Sequence, residues 1–81
     1  MTPLLQILAL MREGRWDEGH NLVQLDDSSA AAWLHALLHM QEGDLENAEY
    51  WYGKSGRNFR SRDTLSEELD ALEASLRGPM G

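Results

Sequence analysis

The chain contains no cysteine. That excludes disulfides, thiolate metal sites and a cysteine nucleophile together. A chain of 81 residues must then be held by apolar packing, and folding at this size buries only about 60 to 65 per cent of the surface the unfolded chain exposes. Basic residues are also scarce, with 7 Lys and Arg against 14 Asp and Glu and a net charge of −7. This balance argues against nucleic acid or an anionic membrane as partner. Long hydrophobic runs are missing. The opening "MTPLLQILALMREG" has an apolar stretch too short to span a bilayer and lacks the basic n-region and cleavage site of a signal peptide, so a cytoplasmic location is expected. A Gly-rich phosphate loop, a dinucleotide fingerprint and a Ser/His/Asp order in the expected surroundings are absent too, so neither a cofactor nor an enzymatic activity is expected.

What is present is helical. Hydrophobic residues make up 42% and charged residues 26%, the ordinary composition of a folded globular domain. Strand signals are nearly absent, whereas helical spacing recurs in segment after segment. The expectation is one all-α domain over residues 1–81, built from hairpins at about 2–25 and 29–54, a loop at 55–63 and a capping helix at 64–77. Thr2 and Pro3 suit the start of the first helix, whose Leu4, Ile7, Leu8 and Met11 share a face. "RWDEGHNLVQL" predicts a second helix from about Trp16 to Leu25. The third, Ser29 to Glu42, places Trp33, Leu34, Leu37, Leu38 and Met40 on one arc and His35, His39 and Glu42 on the opposite side. Gly43 closes it and Asp44 caps the fourth helix, where Leu45, Ala48, Trp51 and Tyr52 share a face to about Lys54. "SGRNFRSRD" has no apolar period and is read as a loop anchored by Phe59. Thr64 and Glu67 then stand at capping-box spacing before a leucine stripe at 65, 69, 72 and 76, which ends at Gly78 and Pro79. Such a helix can cover an exposed apolar edge, as a terminal cap does in a helical repeat.

The two hairpins echo one another. Placing "LMREGRWDEGHNLVQ" over "HMQEGDLENAEYWYG" aligns Glu13 with Glu42, Gly14 with Gly43, Trp16 with Leu45 and Gly19 with Ala48, at an offset of 29 residues. A helix, a tight glycine turn and a second helix with a small residue five positions later lets two antiparallel helices approach closely. The stretch "AWLHALLHMQEGDLENAEYWYGKS" resembles a tetratricopeptide-repeat hairpin through Ala36, the Gly43-Asp44 turn, Ala48, Tyr52 and Ser55, with Trp33 ten residues before the turn glycine where that family spaces it by eleven. The chain is also similar, over roughly residues 13–57, to short uncharacterised bacterial proteins with a W-x-H-A-x-L-H-x-x-E-G-D-x-x-N-A-x-Y-W-Y run. The repeat resemblance implies protein or peptide binding on a helical surface and carries over no catalytic residue.

Candidate functional residues follow from what each face leaves over. Trp33, Ala36, Gly43, Asp44, Ala48, Trp51 and Tyr52 are read as the structural seam of the second hairpin. The residues facing away from it, His35, His39 and Glu42, together with Tyr50, Lys54, Arg57, Arg60 and Arg62, form the expected contact set of a small non-enzymatic adaptor. Its partner is an unidentified protein or peptide. The alternative is a small metal-binding protein or metal-dependent enzyme, because two imidazoles four residues apart on a helix can share one ion, with Glu42 adjacent and His20 nearby in space. "HALLH" lacks the glutamate of the hydrolytic H-E-x-x-H pattern. The arginine-rich loop could instead compensate Glu67, Glu68, Asp70 and Glu73 of the last helix, lie solvated, or meet an acidic partner. Apolar residues cover about 220 degrees of the first helix. Either the final helix packs on that surplus or a homodimer forms there.

Overall fold

The structure is a computed structural model that describes residues 4–78. The Thr2 cap, the Pro3 start and Pro79 lie outside the described residues. The helices are α1 (Leu4–Arg12), α2 (Trp16–Val23), α3 (Ser29–Glu42), α4 (Leu45–Ser55) and α5 (Leu65–Arg77), with a 3-10 turn at Phe59–Ser61. The fold is all-α. Helices α1 and α2 form one antiparallel hairpin, α3 and α4 the other, and α5 packs on both α3 and α1.

The two hairpin turns are built alike. Gly14 and Gly43 sit at φ 80° and 87°, left-handed backbone that costs glycine little and other residues more. In each case the glycine N–H bonds back three residues, to Met11 or Met40, and the next N–H bonds back five, to Leu10 or His39. The orphan carbonyls at the helix ends are thereby satisfied. The aligned small residues Gly19 and Ala48 are both buried, and a methyl group on Gly19 would already stand 3.7 Å from Ile7 and Leu38.

Side-chain caps set the remaining starts. Ser28 Oγ accepts from Ala31 N at 3.1 Å, Asp44 from Asn47 N at 3.2 Å, and Thr64 and Glu67 form the expected capping box. Helix α2 is two residues shorter than its apolar pattern suggests. Asp26 folds back to accept the Ser28 N–H at 2.9 Å, so the chain must turn before it, and Leu25 is left 82% exposed. The surplus apolar face of α1 is met by α5, an edge reinforced by Arg12, which donates to Asp70 at 3.1 Å and Glu73 at 3.2 Å. Leu5 stays at the surface. Among the described residues no helix is long and apolar enough to cross a membrane.

Helix α3 is the axis of the molecule. Every residue from Ala31 to His39 is buried, because α4, α5, α2 and α1 all pack on it. The expectation that His35 and His39 face outward is therefore corrected: they are 5% and 7% exposed, since α2 lies across that side of the helix. Glu68, grouped above with the acids that the arginine loop could compensate, is an interior residue. It is 2% exposed and accepts from the Tyr52 hydroxyl at 2.5 Å, the Trp33 indole N–H at 3.0 Å and the Asp63 N–H at 3.2 Å. Burial pushes its carboxyl up, but those three donors and the charge of Arg57 hold it below its ordinary value. Burial and the neighbouring carboxylate raise the Tyr52 phenol.

This carboxylate joins α3, α4, the loop and α5 at one point. Removing it as Glu68→Ala leaves buried donors on Trp33 and Tyr52 without an acceptor and should lower unfolding free energy by roughly 2–4 kcal/mol, whereas Tyr52→Phe should cost about 1.5 kcal/mol. Urea denaturation checks both, and an unchanged midpoint in Glu68→Ala would refute the tie.

Candidate functional site

Between α2 and α3 lies a cluster of aromatic and imidazole rings. Trp16 opens α2 and reaches across to donate its indole N–H to the Leu38 carbonyl at 2.6 Å. One turn later His20 stacks on the Trp16 ring, with centroids 4.6 Å apart. From α3, His35 and His39 are stacked on one another at 5.0 Å, as i, i+4 residues on a helix should be. Helix α4 closes the other side with Trp51, whose ring lies against His35 at 4.0 Å. Trp51 is thus half-buried over the histidines instead of at the centre of the hairpin seam.

Polar contacts tie the rings together. Gln24 Nε2 faces His20 Nδ1 at 3.4 Å, where the amide can donate to the ring. His20 Nε2 lies 3.1 Å from His35 Nε2, a contact in which one ring donates and the other accepts. His39 points Nδ1 at Glu42 Oε2, 2.8 Å away. One ligand atom from each of His20, His35 and His39 lies within 4.8 Å of the others. Burial, then the proximity of His20 and His39, drives the His35 imidazole down to about 4. Burial and the His39 charge likewise lower His20. At neutral pH His35 is an uncharged imidazole.

His35 also forms part of the wall of a groove of about 360 Å³ between the α2–α3 turn and α4. Val23 and Ala32 supply its apolar wall, Asp26 and Asp27 one rim, and Tyr50, Trp51 and Lys54 the other. Tyr50 is 55% exposed, with the Lys54 ammonium 5.5 Å from its ring centroid. Of the residues singled out from the sequence, His35, Tyr50 and Lys54 meet in this groove, while His39 and Glu42 stand further along α3. Arg57, Arg60 and Arg62 belong to a different region. Arg57 lies over the Trp33 ring at 3.7 Å and Arg62 over Phe59 at 3.8 Å, beside a second cavity of about 310 Å³ lined by Tyr52, Asn58 and Glu68 among others. Two of the three loop arginines thus use aromatic faces. Of the acids of α5, Glu68 feels the charge of Arg57, while Glu67 is engaged in its capping box and Asp70 and Glu73 with Arg12.

Asp26, Asp27 and Trp51 were not singled out as site residues by sequence reasoning. The turn carboxylates carry no periodic signal that would aim them at a groove. Trp51 had one: it sits three residues before Lys54 and next to Tyr50, on the margin of the apolar face.

The neutral His35 links stability to pH. The unfolded chain takes up this proton near the ordinary histidine value and the fold only near 4, so between the two the unfolded state binds more protons and stability falls as pH falls. In chelator-treated protein this site should cost about 2 kcal/mol between pH 7 and pH 5. His35→Gln should show a correspondingly shallower pH dependence in urea unfolding, and parallel slopes for the two proteins would contradict the assignment. Comparison with known protein families, with curated proteins and with solved structures finds no match to this chain, which leaves its role to be read from these side chains.

Proposed function

We propose that the protein is a small non-enzymatic interaction module, tetratricopeptide-like in its paired hairpins, that binds a protein or peptide segment in the groove between the α2–α3 turn and α4. The observation that carries this reading is the groove's wall chemistry. An exposed tyrosine and a half-buried tryptophan stand opposite two aspartates over an apolar floor. Large aromatic rings at a surface groove are the residues that anchor interfaces. Two carboxylates facing aromatic faces suit a cationic side chain, which gains both ion-pair and cation–π attraction. The chain's net charge of −7 steers the same kind of partner. The occupant is therefore an extended segment presenting a lysine or arginine next to an apolar residue.

Selection from a displayed peptide library against the whole protein tests this. Enriched peptides should share a basic residue flanked by an apolar one. Tyr50→Ala should weaken them by at least about 1 kcal/mol, the threshold of a significant interface residue, while leaving stability within about 0.5 kcal/mol, as expected at an exposed position. Enrichment without a basic residue, or affinity indifferent to Tyr50→Ala and Asp27→Lys, would overturn the reading.

A further inference from the structure

The groove accounts for one edge of His35 and leaves His20 and His39 without a role. We propose that His20, His35 and His39 form a binding site for a single divalent transition-metal ion of the zinc, cobalt, nickel and copper group, with Glu42 and Gln24 orienting the ligand rings. Three imidazoles from two helices supply the nitrogen donors these ions favour, in the three-protein-ligand pattern that leaves a fourth position open. The spacing is close to what is needed. Nitrogens bound at 2.0–2.1 Å in a tetrahedral site stand about 3.3 Å apart. His20 Nε2 and His35 Nε2 are 3.1 Å apart, and the three ligand atoms lie within 4.8 Å, so only a small convergence of His39 is required.

The surroundings are those of a metal-binding histidine set. A ligating histidine ordinarily donates its second N–H to a carboxylate or carbonyl, which fixes the ring and raises its basicity. Glu42 already occupies that place at His39 Nδ1, 2.8 Å away, leaving Nε2 as the ligand. An ion held at Nε2 of both His20 and His35 requires each ring to carry its proton on Nδ1, and at His20 the Gln24 amide, turned to present Oε1, accepts it. Trp16 and Trp51 stack on His20 and His35 and fix the planes of those rings. A second grouping, His39 with Glu42 and Asp44, is less suited, because Asp44 is already engaged by the backbone and side-chain nitrogens of Asn47 at 3.2 Å and 2.7 Å. An ion at the three histidines joins α2 to α3, and so one hairpin to the other.

The test is titration of the whole protein at pH 7.5 with zinc and cobalt(II) salts, read by calorimetry, by the visible bands of cobalt and by quenching of Trp16 and Trp51 fluorescence. The expected result is saturable binding of one ion per chain, abolished in His20→Gln, weakened about 10- to 100-fold in Glu42→Ala, and unchanged in Asp44→Asn. Side-chain nitrogen NMR of the unaltered protein gives an independent readout should His20→Gln fail to fold: the Nε2 resonances of all three histidines should move on adding zinc. No saturable binding up to roughly 1 mM ion, an affinity too weak to matter, would overturn the proposal. So would one-to-one binding that survives in a folded His20→Gln, or binding lost in Asp44→Asn.

Discussion

A helix covered on every side must satisfy each of its polar side chains inside the protein, and in this molecule that helix is α3. From Ala31 to His39 every residue is buried, yet the segment carries a tryptophan and two histidines. An unpaired buried donor costs on the order of 1–3 kcal/mol, a large share of the stability of so small a domain. Two of the covering helices therefore bring a polar partner along with their apolar faces. Helix α5 brings Glu68 to the Trp33 indole, α2 brings His20 to His35, and α2 also presents Trp16 to the Leu38 carbonyl. These contacts set the register in which the outer helices can lie, something apolar packing alone specifies weakly.

Much of this was legible in the chain before any coordinates. Helices ended within about two residues of their periodic patterns because glycines and capping residues state the ends locally, as Gly14, Gly43, Asp44 and the Thr64–Glu67 box show. The face assignments were legible only where a helix has two distinct sides. Helix α3 does not, so a wheel that places His35 and His39 opposite Trp33 cannot tell solvent from a second packing partner. Glu68 offered a fainter signal: it stands three residues after Leu65 and four before Leu72, at the margin of the leucine stripe. A charged side chain there is either solvent-facing or paired in the interior. Deciding between them requires knowing that Tyr52 and Trp33, 16 and 35 residues away, end at the same point. The arginine loop was legible as basic but not in its contacts, since stacking on Trp33 and Phe59 leaves no periodic trace.

The two sides of α3 are thus organised by different chemistry. At Glu68 a negative charge is matched by a hydroxyl, an indole N–H and a backbone N–H, with Arg57 at a distance over the Trp33 ring. Its donors are all on the protein, and the centre is complete as a structural tie. The groove and histidine cluster on the other side are open to the surface through Tyr50 and half-buried at Trp51.

That distinction can be carried down to single lone pairs. Each imidazole has two ring nitrogens, and each nitrogen either donates or accepts. Gln24 faces one nitrogen of His20, the other faces His35, and Glu42 faces Nδ1 of His39. Among the described residues no protein donor answers His39 Nε2. A set whose only purpose was packing could have used leucine or phenylalanine here at no cost in hydrogen bonds, and with more apolar surface buried. Nitrogen lone pairs gathered from two helices, with one ring already oriented by a carboxylate, are an arrangement in which an electron-pair acceptor of positive charge gains more than water does.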